Sequence, residues 1–236
     1  MKKLFLIPFV FAFVFSNAQT ADEIVQKYAA AMGGLENFNK LQSLKTTGTV
    51  TTQGLDLPMT IQVINNRAVR TDIDVMGQKI VNCYIDGKGW TINPFAGITS
   101  ATDVTGTELS EFKSQSMIAS QLMDYKSRGH QVELLGQENV DGAKAYKIKL
   151  TNKDDSKVTT YFIDATSSLV IRSISTIDLQ GVEMEVQTNY SDYKDFGGLK
   201  FIMARVQTVE GQTLREIKYD SLELNVAIDE KIFEKE

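Results

Sequence analysis

Residues 86–123 read DGKGWTINPFAGITSATDVTGTELSEFKSQSMIASQLM. The stretch opens with a tight turn at Asp86-Gly87 and a short strand carrying Trp90. Pro94 ends that strand, because proline has no N–H to give to a ladder. Residues 108–126 then form the one long helical pattern in the middle of the chain. Thr105 and Glu108 have capping-box spacing. Lys126 and Arg128 suit the negative end of a helix dipole, and Gly129 suits its close. The apolar residues form two stripes: Leu109, Phe112, Ala119 and Met123 on one side, Ile118, Leu122 and Tyr125 on the other. Two stripes predict a helix touched from two sides; plain packing on a broad apolar face is the alternative. With strands before and after it, the helix is expected to lie over the concave face of a curled sheet.

Upstream, Thr20-Ala21-Asp22-Glu23 is a capping box, and Gly33-Gly34 ends the helix it starts. Strands follow. Leu44, Thr46, Gly48 and Val50 alternate with Lys45, Thr47 and Thr49. Leu57, Met59, Ile61 and Val63, then Val69, Thr71, Ile73 and Val75, repeat the pattern. Period two with one polar face marks antiparallel strands solvated on one side. Residues 80–85 are more continuously apolar, which predicts cover on both faces. Hairpin turns fall at Gln53-Gly54, Asn65-Asn66 and Met76-Gly77.

Downstream, residues 131–224 read as a meander with turns at Asp141-Gly142, Gln180-Gly181, Gly197-Gly198 and Gly211. The pattern is therefore mainly β (α+β): a sheet of about eleven to thirteen antiparallel strands that curls on itself, with the central helix helping to line an apolar cavity. No Pro/Ser-rich linker interrupts it, so residues 19–236 are expected to form one domain.

Residues 1–18 stand apart. Lys2 and Lys3 precede an apolar run over residues 4–15, which is signal-peptide length and short for a membrane span. Ser16-Asn17-Ala18 offers a cleavage site before Gln19, and an uncleaved anchor is the alternative. Cleavage removes two lysines and no acids, which takes the net charge from −5 to −7. An acidic chain without a basic run is a poor partner for nucleic acid.

The chemistry-bearing residues are few. Cys83 is the only cysteine, so no internal disulfide forms and no cysteine stands after the apolar run to carry a lipid anchor. Its apolar strand predicts a small buried side chain. His130 is the only histidine, placed at a helix end, and is expected to be solvated or a cap. Zinc-hydrolase, nucleophile-elbow, phosphate-loop and dinucleotide motifs are absent. Asp72 with Asp74 and Glu183 with Glu185 each share a strand face. Such pairs can bind calcium or flank a glycosidic bond. Acids alternating on a solvated face are the commoner reading, so neither an enzyme nor a metal or cofactor is expected.

Three segments resemble the periplasmic lipoprotein-carrier family of the LolA/LolB type. They are Asp86-Gly87-Lys88-Gly89-Trp90 with Asn93-Pro94-Phe95, Asn66-Arg67-Ala68-Val69-Arg70, and Tyr190-Ser191-Asp192-Tyr193 running on to Gly198-Leu199-Lys200-Phe201. Ala68 and Ile202 stand where the family often has proline. The resemblance covers the chain from residue 19 in element order. It implies an incomplete antiparallel β-barrel, a half-barrel closed by helices over a hydrophobic cavity that takes acyl chains of lipoproteins or lipids, in a monomer that meets inner- and outer-membrane transport proteins in the periplasm. Trp90, Phe95, Phe112, Met117 and Met123 are the expected cavity lining, and Arg67, placed by the resemblance, is expected to tune the lid. The competing reading is a sensor of the cell envelope that holds a lipid or a partner in the same fold.

Overall fold

The computed structural model describes residues 19–179 and 182–235. The expected export signal, residues 1–18, and the turn at Gln180-Gly181 lie outside the described residues. Helices α1 (Ala21–Met32) and α2 (Leu35–Asn39) come first. In α1 both halves of the Thr20/Glu23 capping box are formed, and Gly33 closes the helix in the left-handed conformation.

Six antiparallel strands follow: β1 (Ser43–Thr52), β2 (Leu55–Ile64), β3 (Ala68–Val75), β4 (Gln78–Ile85), β5 (Lys88–Asn93) and β6 (Ile98–Val104). Helix α3 (Gly106–Gln115) and a run of turns over residues 116–129 lead to a second meander. Its strands are β7 (Gln131–Val140), β8 (Ala143–Thr151), β9 (Val158–Asp164), β10 (Val170–Leu179), β11 (Val182–Phe196), β12 (Leu199–Val209) and β13 (Gln212–Leu224). A short 3-10 turn, Glu230–Phe233, closes the chain.

All thirteen strands form one sheet in the order β6-β5-β4-β3-β2-β1-β13-β12-β11-β10-β9-β8-β7. The first and last strands pair with each other in its middle, with Leu44 opposite Leu224. The edges β6 and β7 do not meet, so the sheet curls without closing. The chain must travel from one edge to the other, and α3 with residues 116–130 makes that passage across one face. Strand β6, polar for most of its length, was not foreseen in the sequence.

The central helix is shorter than its apolar pattern predicts, and Thr105 occupies its N-cap position without a side-chain cap. The ladder stops at Gln115 because its next backbone groups are taken by the β2–β3 turn. The Asn66 N–H donates to the Ser116 carbonyl at 2.9 Å. The Asn65 carboxamide oxygen accepts the Ile118 N–H at 3.0 Å. A donor bonded to a distant turn cannot also bond four residues back. The first stripe is thus split: Leu109 and Phe112 pack on β2–β4, while its Ala119 and Met123 join Leu122 and Tyr125 of the second in the core under α1.

Candidate functional site

Under the crossing segment lies a cavity of about 570 Å³, within the range of about 300–1,000 Å³ of small-molecule sites. Strand periodicity builds its wall. Residues 59, 61 and 63 of β2 pair with 73, 71 and 69 of β3, so one parity of each strand faces inward. Val50, Met59, Ile61, Val63, Val69 and Ile73 make this wall apolar. The roof is helical and irregular: Tyr28 and Met32 of α1, Phe38 of α2, and Met117, Ile118 and Met123 of the crossing segment.

Polar contacts at its edges hold the roof in place. The Asn65 amide donates to the Leu41 carbonyl at 2.8 Å while its oxygen holds Ile118, so one turn residue fixes α2 and the crossing segment together. The hydroxyls of Tyr28 and Ser120 bond at 3.2 Å. Burial pushes the Tyr28 phenol up to about 12. Asp22 accepts from Lys126 Nζ at 2.7 Å and from the Tyr125 hydroxyl. Those two bonds, Lys126 first, hold its carboxyl below the ordinary range. Arg128 pairs with Asp124 at 3.4 Å and donates to the Ala119 carbonyl at 2.6 Å, which braces the turns where no helix ladder exists.

The six residues expected at the cavity and its lid fall in different places. Met117 and Met123 line it. Phe112 is buried beside it, packed with Leu44, Val63, Val69 and Tyr84. Trp90 lies on the opposite face. Register places Arg70, Cys83 and Trp90 in one row across β3–β5, whereas Val69 faces the cavity. There the Trp90 indole N–H donates to the Phe233 carbonyl at 3.1 Å. Phe95 sits in the 3-10 turn Pro94–Ala96 with 57% of its surface exposed, because the chain leaves the sheet at Pro94. Arg67, in the turn before β3, pairs with Asp86 at 3.2 Å and with Glu230 at 2.7 Å. It ties the C-terminal turn to the outer side of the sheet.

His130 differs from expectation. It is buried, and its Nδ1 accepts the Lys153 N–H at 3.2 Å. Burial first, and then the nearby Arg128 charge, lowers its pKa. The strand β8–β9 turn folds back over the helix-end position and covers the ring. Cys83 is buried as foreseen. Asp72 is taken up by Arg70 at 3.0 Å, and Glu183 and Glu185 are exposed. Among the described residues, no group of three or more potential metal ligands occurs.

Sequence reasoning missed the anchor Asn65 and three cations that line the cavity, Lys200, Arg205 and Arg215. Asn65 was read as a turn residue only. The arginines stand on strands whose alternation is half polar, where a cation carries no signal of its own.

No family model and no curated relative matches this chain. Solved structures do. A LolA superfamily protein of Nitrosomonas europaea superimposes with a TM-score of 0.61 at 14% identity, over 92% of this chain and 99% of the other. The fold is LolA-like. A DUF1329 family protein of Desulfovibrio piger gives a TM-score of 0.60 at 14% identity, covering 91% and 97% of the two chains. An outer membrane lipoprotein-sorting protein domain of Vibrio parahaemolyticus gives 0.59 at 13% identity, covering 90% and 97%. The LolA-like half-barrel therefore spans nearly all of the chain, and no helix among the described residues is long and apolar enough to cross a membrane.

Proposed function

We propose that this protein is a non-enzymatic carrier of the bacterial periplasm that holds acyl chains of lipoproteins or lipids in the cavity of its half-barrel. The observation that carries this reading is the cavity itself: an apolar strand wall under a roof that includes Met32, Met117 and Met123. Leaving an alkyl chain in water costs about 0.8 kcal/mol per methylene. A chain of fifteen methylenes thus needs on the order of 12 kcal/mol of cover, which calls for an enclosed groove rather than a surface patch. Methionine suits such a roof, since its unbranched thioether adapts to differently shaped chains. The likeness to the Vibrio lipoprotein-sorting domain supports the same use, with residues 1–18 as the export signal and residues 19–236 as one carrier domain.

The test is native mass spectrometry, with solvent extraction, on protein purified from the periplasm of its own cells. An acylated species that leaves the protein only on extraction is the expected result. Protein at its bare mass that also takes up neither hexadecanol nor hexadecyl phosphate would overturn the reading.

A further inference from the structure

The chain has six arginines. Four pair with carboxylates: Arg67 with Asp86 and Glu230, Arg70 with Asp72, Arg128 with Asp124 and Arg172 with Asp141. The other two, Arg205 and Arg215, make no ion pair among the described residues, and both line the cavity. The asymmetry extends to the whole lining. It includes Lys200, Arg205 and Arg215 but no aspartate or glutamate, in a chain whose 30 acids outnumber its 25 lysines and arginines.

The two guanidinium groups are placed together. Arg205 pairs with Ile217 across β12–β13, and Gln207 pairs with Arg215 one step further along the same face. The Arg205 Nε–H is buried without a hydrogen-bond partner, and its Cζ lies 5.9 Å from the centroid of the Tyr219 ring. Arg215 donates from Nε to the Gln207 side-chain oxygen, and Gln207 in turn donates to the Thr188 hydroxyl at 3.2 Å. This chain of bonds aims Arg215 and leaves its other donors uncommitted. Arg215 stands close to the β12–β13 turn at Gly211, at the end of the sheet away from Asn65 and the roof. Between it and the roof, Val50, Met59 and Ile217 form an apolar patch. Arg215 is exposed as a residue, but partial desolvation of its head group and then the Arg205 charge push its pKa down, and a guanidinium remains charged at any physiological pH.

We propose that Arg205 and Arg215 form a head-group subsite at the cavity mouth, so that the molecule carried is an anionic amphiphile with a phosphate or carboxylate head and its alkyl chain running inward under the roof. Guanidinium groups are suited to such oxyanions because their fixed forks give two parallel charge-assisted hydrogen bonds. A partly buried cation with an orphaned N–H is costly alone, and an anion in the cavity offsets that cost. The apolar patch beyond accepts the chain, which a free inorganic anion cannot use. This inference rests on the acyl-chain reading of the cavity and adds the charge of its occupant.

Titration of the delipidated protein with hexadecyl phosphate, hexadecanol and inorganic phosphate tests it. Hexadecyl phosphate is expected to bind at least about tenfold more tightly than hexadecanol, as one charge-assisted contact of about 1.4 kcal/mol would give. In the double variant Arg205→Gln/Arg215→Gln the preference should be lost, so that the two amphiphiles bind alike. Arg205→Lys/Arg215→Lys should keep part of the preference and serves if the glutamine variant unfolds. Equal wild-type binding of the two amphiphiles, or a preference that survives the glutamine substitutions, would overturn the head-group subsite and leave the carrier reading standing. Inorganic phosphate binding as tightly as hexadecyl phosphate, with hexadecanol unbound, would mark a plain anion site and overturn both. So would failure of both amphiphiles to bind.

Discussion

The two faces of β3–β5 are covered in different ways. On the outer face the chain's own C-terminal turn fills the groove. Phe233 is 1% exposed there among Ala68, Val81, Cys83 and Trp90, and its carbonyl accepts from the Trp90 indole and the Cys83 thiol. On the inner face Val69 and its neighbours meet a roof that stands off the sheet and leaves a cavity. Both faces are apolar, yet one is packed solid by the protein and the other is left for an adaptable occupant. A filled groove adds stability and a roofed one gives up part of it to keep space, so substitutions on the two faces should separate stability from binding.

The largest effect is expected at the filled face. Phe233→Ala should lower unfolding free energy by about 3–5 kcal/mol, read by chemical denaturation, while the folded fraction still binds hexadecanol. The same variant should expose Cys83 to a thiol reagent. In the native protein burial pushes that thiol up to about 12 and hides it, so native protein should react only on unfolding.

Next comes the roof anchor. Asn65→Ala removes the acceptor of the Ile118 N–H and the donor to Leu41. It should cost about 1–3 kcal/mol, the range for leaving buried partners unsatisfied. Faster hydrogen exchange confined to residues 116–125 would identify the roof as the part that loosened; uniform acceleration across the sheet would contradict a local anchor.

On the cavity wall the order should reverse, with binding hit harder than stability. Ile61→Glu should weaken hexadecanol binding about tenfold, or ~1.4 kcal/mol, by placing a charge against the chain. Unfolding should change by less, since Ile61 is only half-buried. A larger loss of stability than of affinity would mean that Ile61 belongs to the packed core.

The smallest effect is a pH dependence of the roof. The Asp22 carboxyl is held below its ordinary value of 3.8 by Lys126 and then Tyr125. Its contribution is therefore present above pH 3.8 and is lost as pH falls through the lowered folded value. With Asp22 half exposed, the contribution is small. Asp22→Asn should flatten the stability profile in that acidic window and lower stability slightly at neutral pH, where the contribution is fully present.

Local pattern and chemistry set the elements and their parity. Alternation in β1–β3 sorted Val50, Met59, Ile61, Val63 and Val69 onto one face, and that face proved to be the cavity wall. Capping at Thr20, the hairpin turns and the apolar run of β4, covered on both faces, followed from local chemistry as well. Local pattern could not say which face of β5 is inside. Trp90 reads as cavity lining because it is large and aromatic; its pairing with Cys83, and of Cys83 with Arg70, puts it outside. Nor could pattern end the central helix at Gln115, because the groups that end it sit fifty residues away in the β2–β3 turn. The meaning of Arg205 and Arg215 was hidden for a related reason. A cation on a half-polar strand is ordinary, and only the curl of the sheet, which brings β12 and β13 beside β1, sets these two along one cavity with no carboxylate to meet them. Local propensity is set by neighbours in sequence, whereas burial and charge pairing are set by neighbours in space.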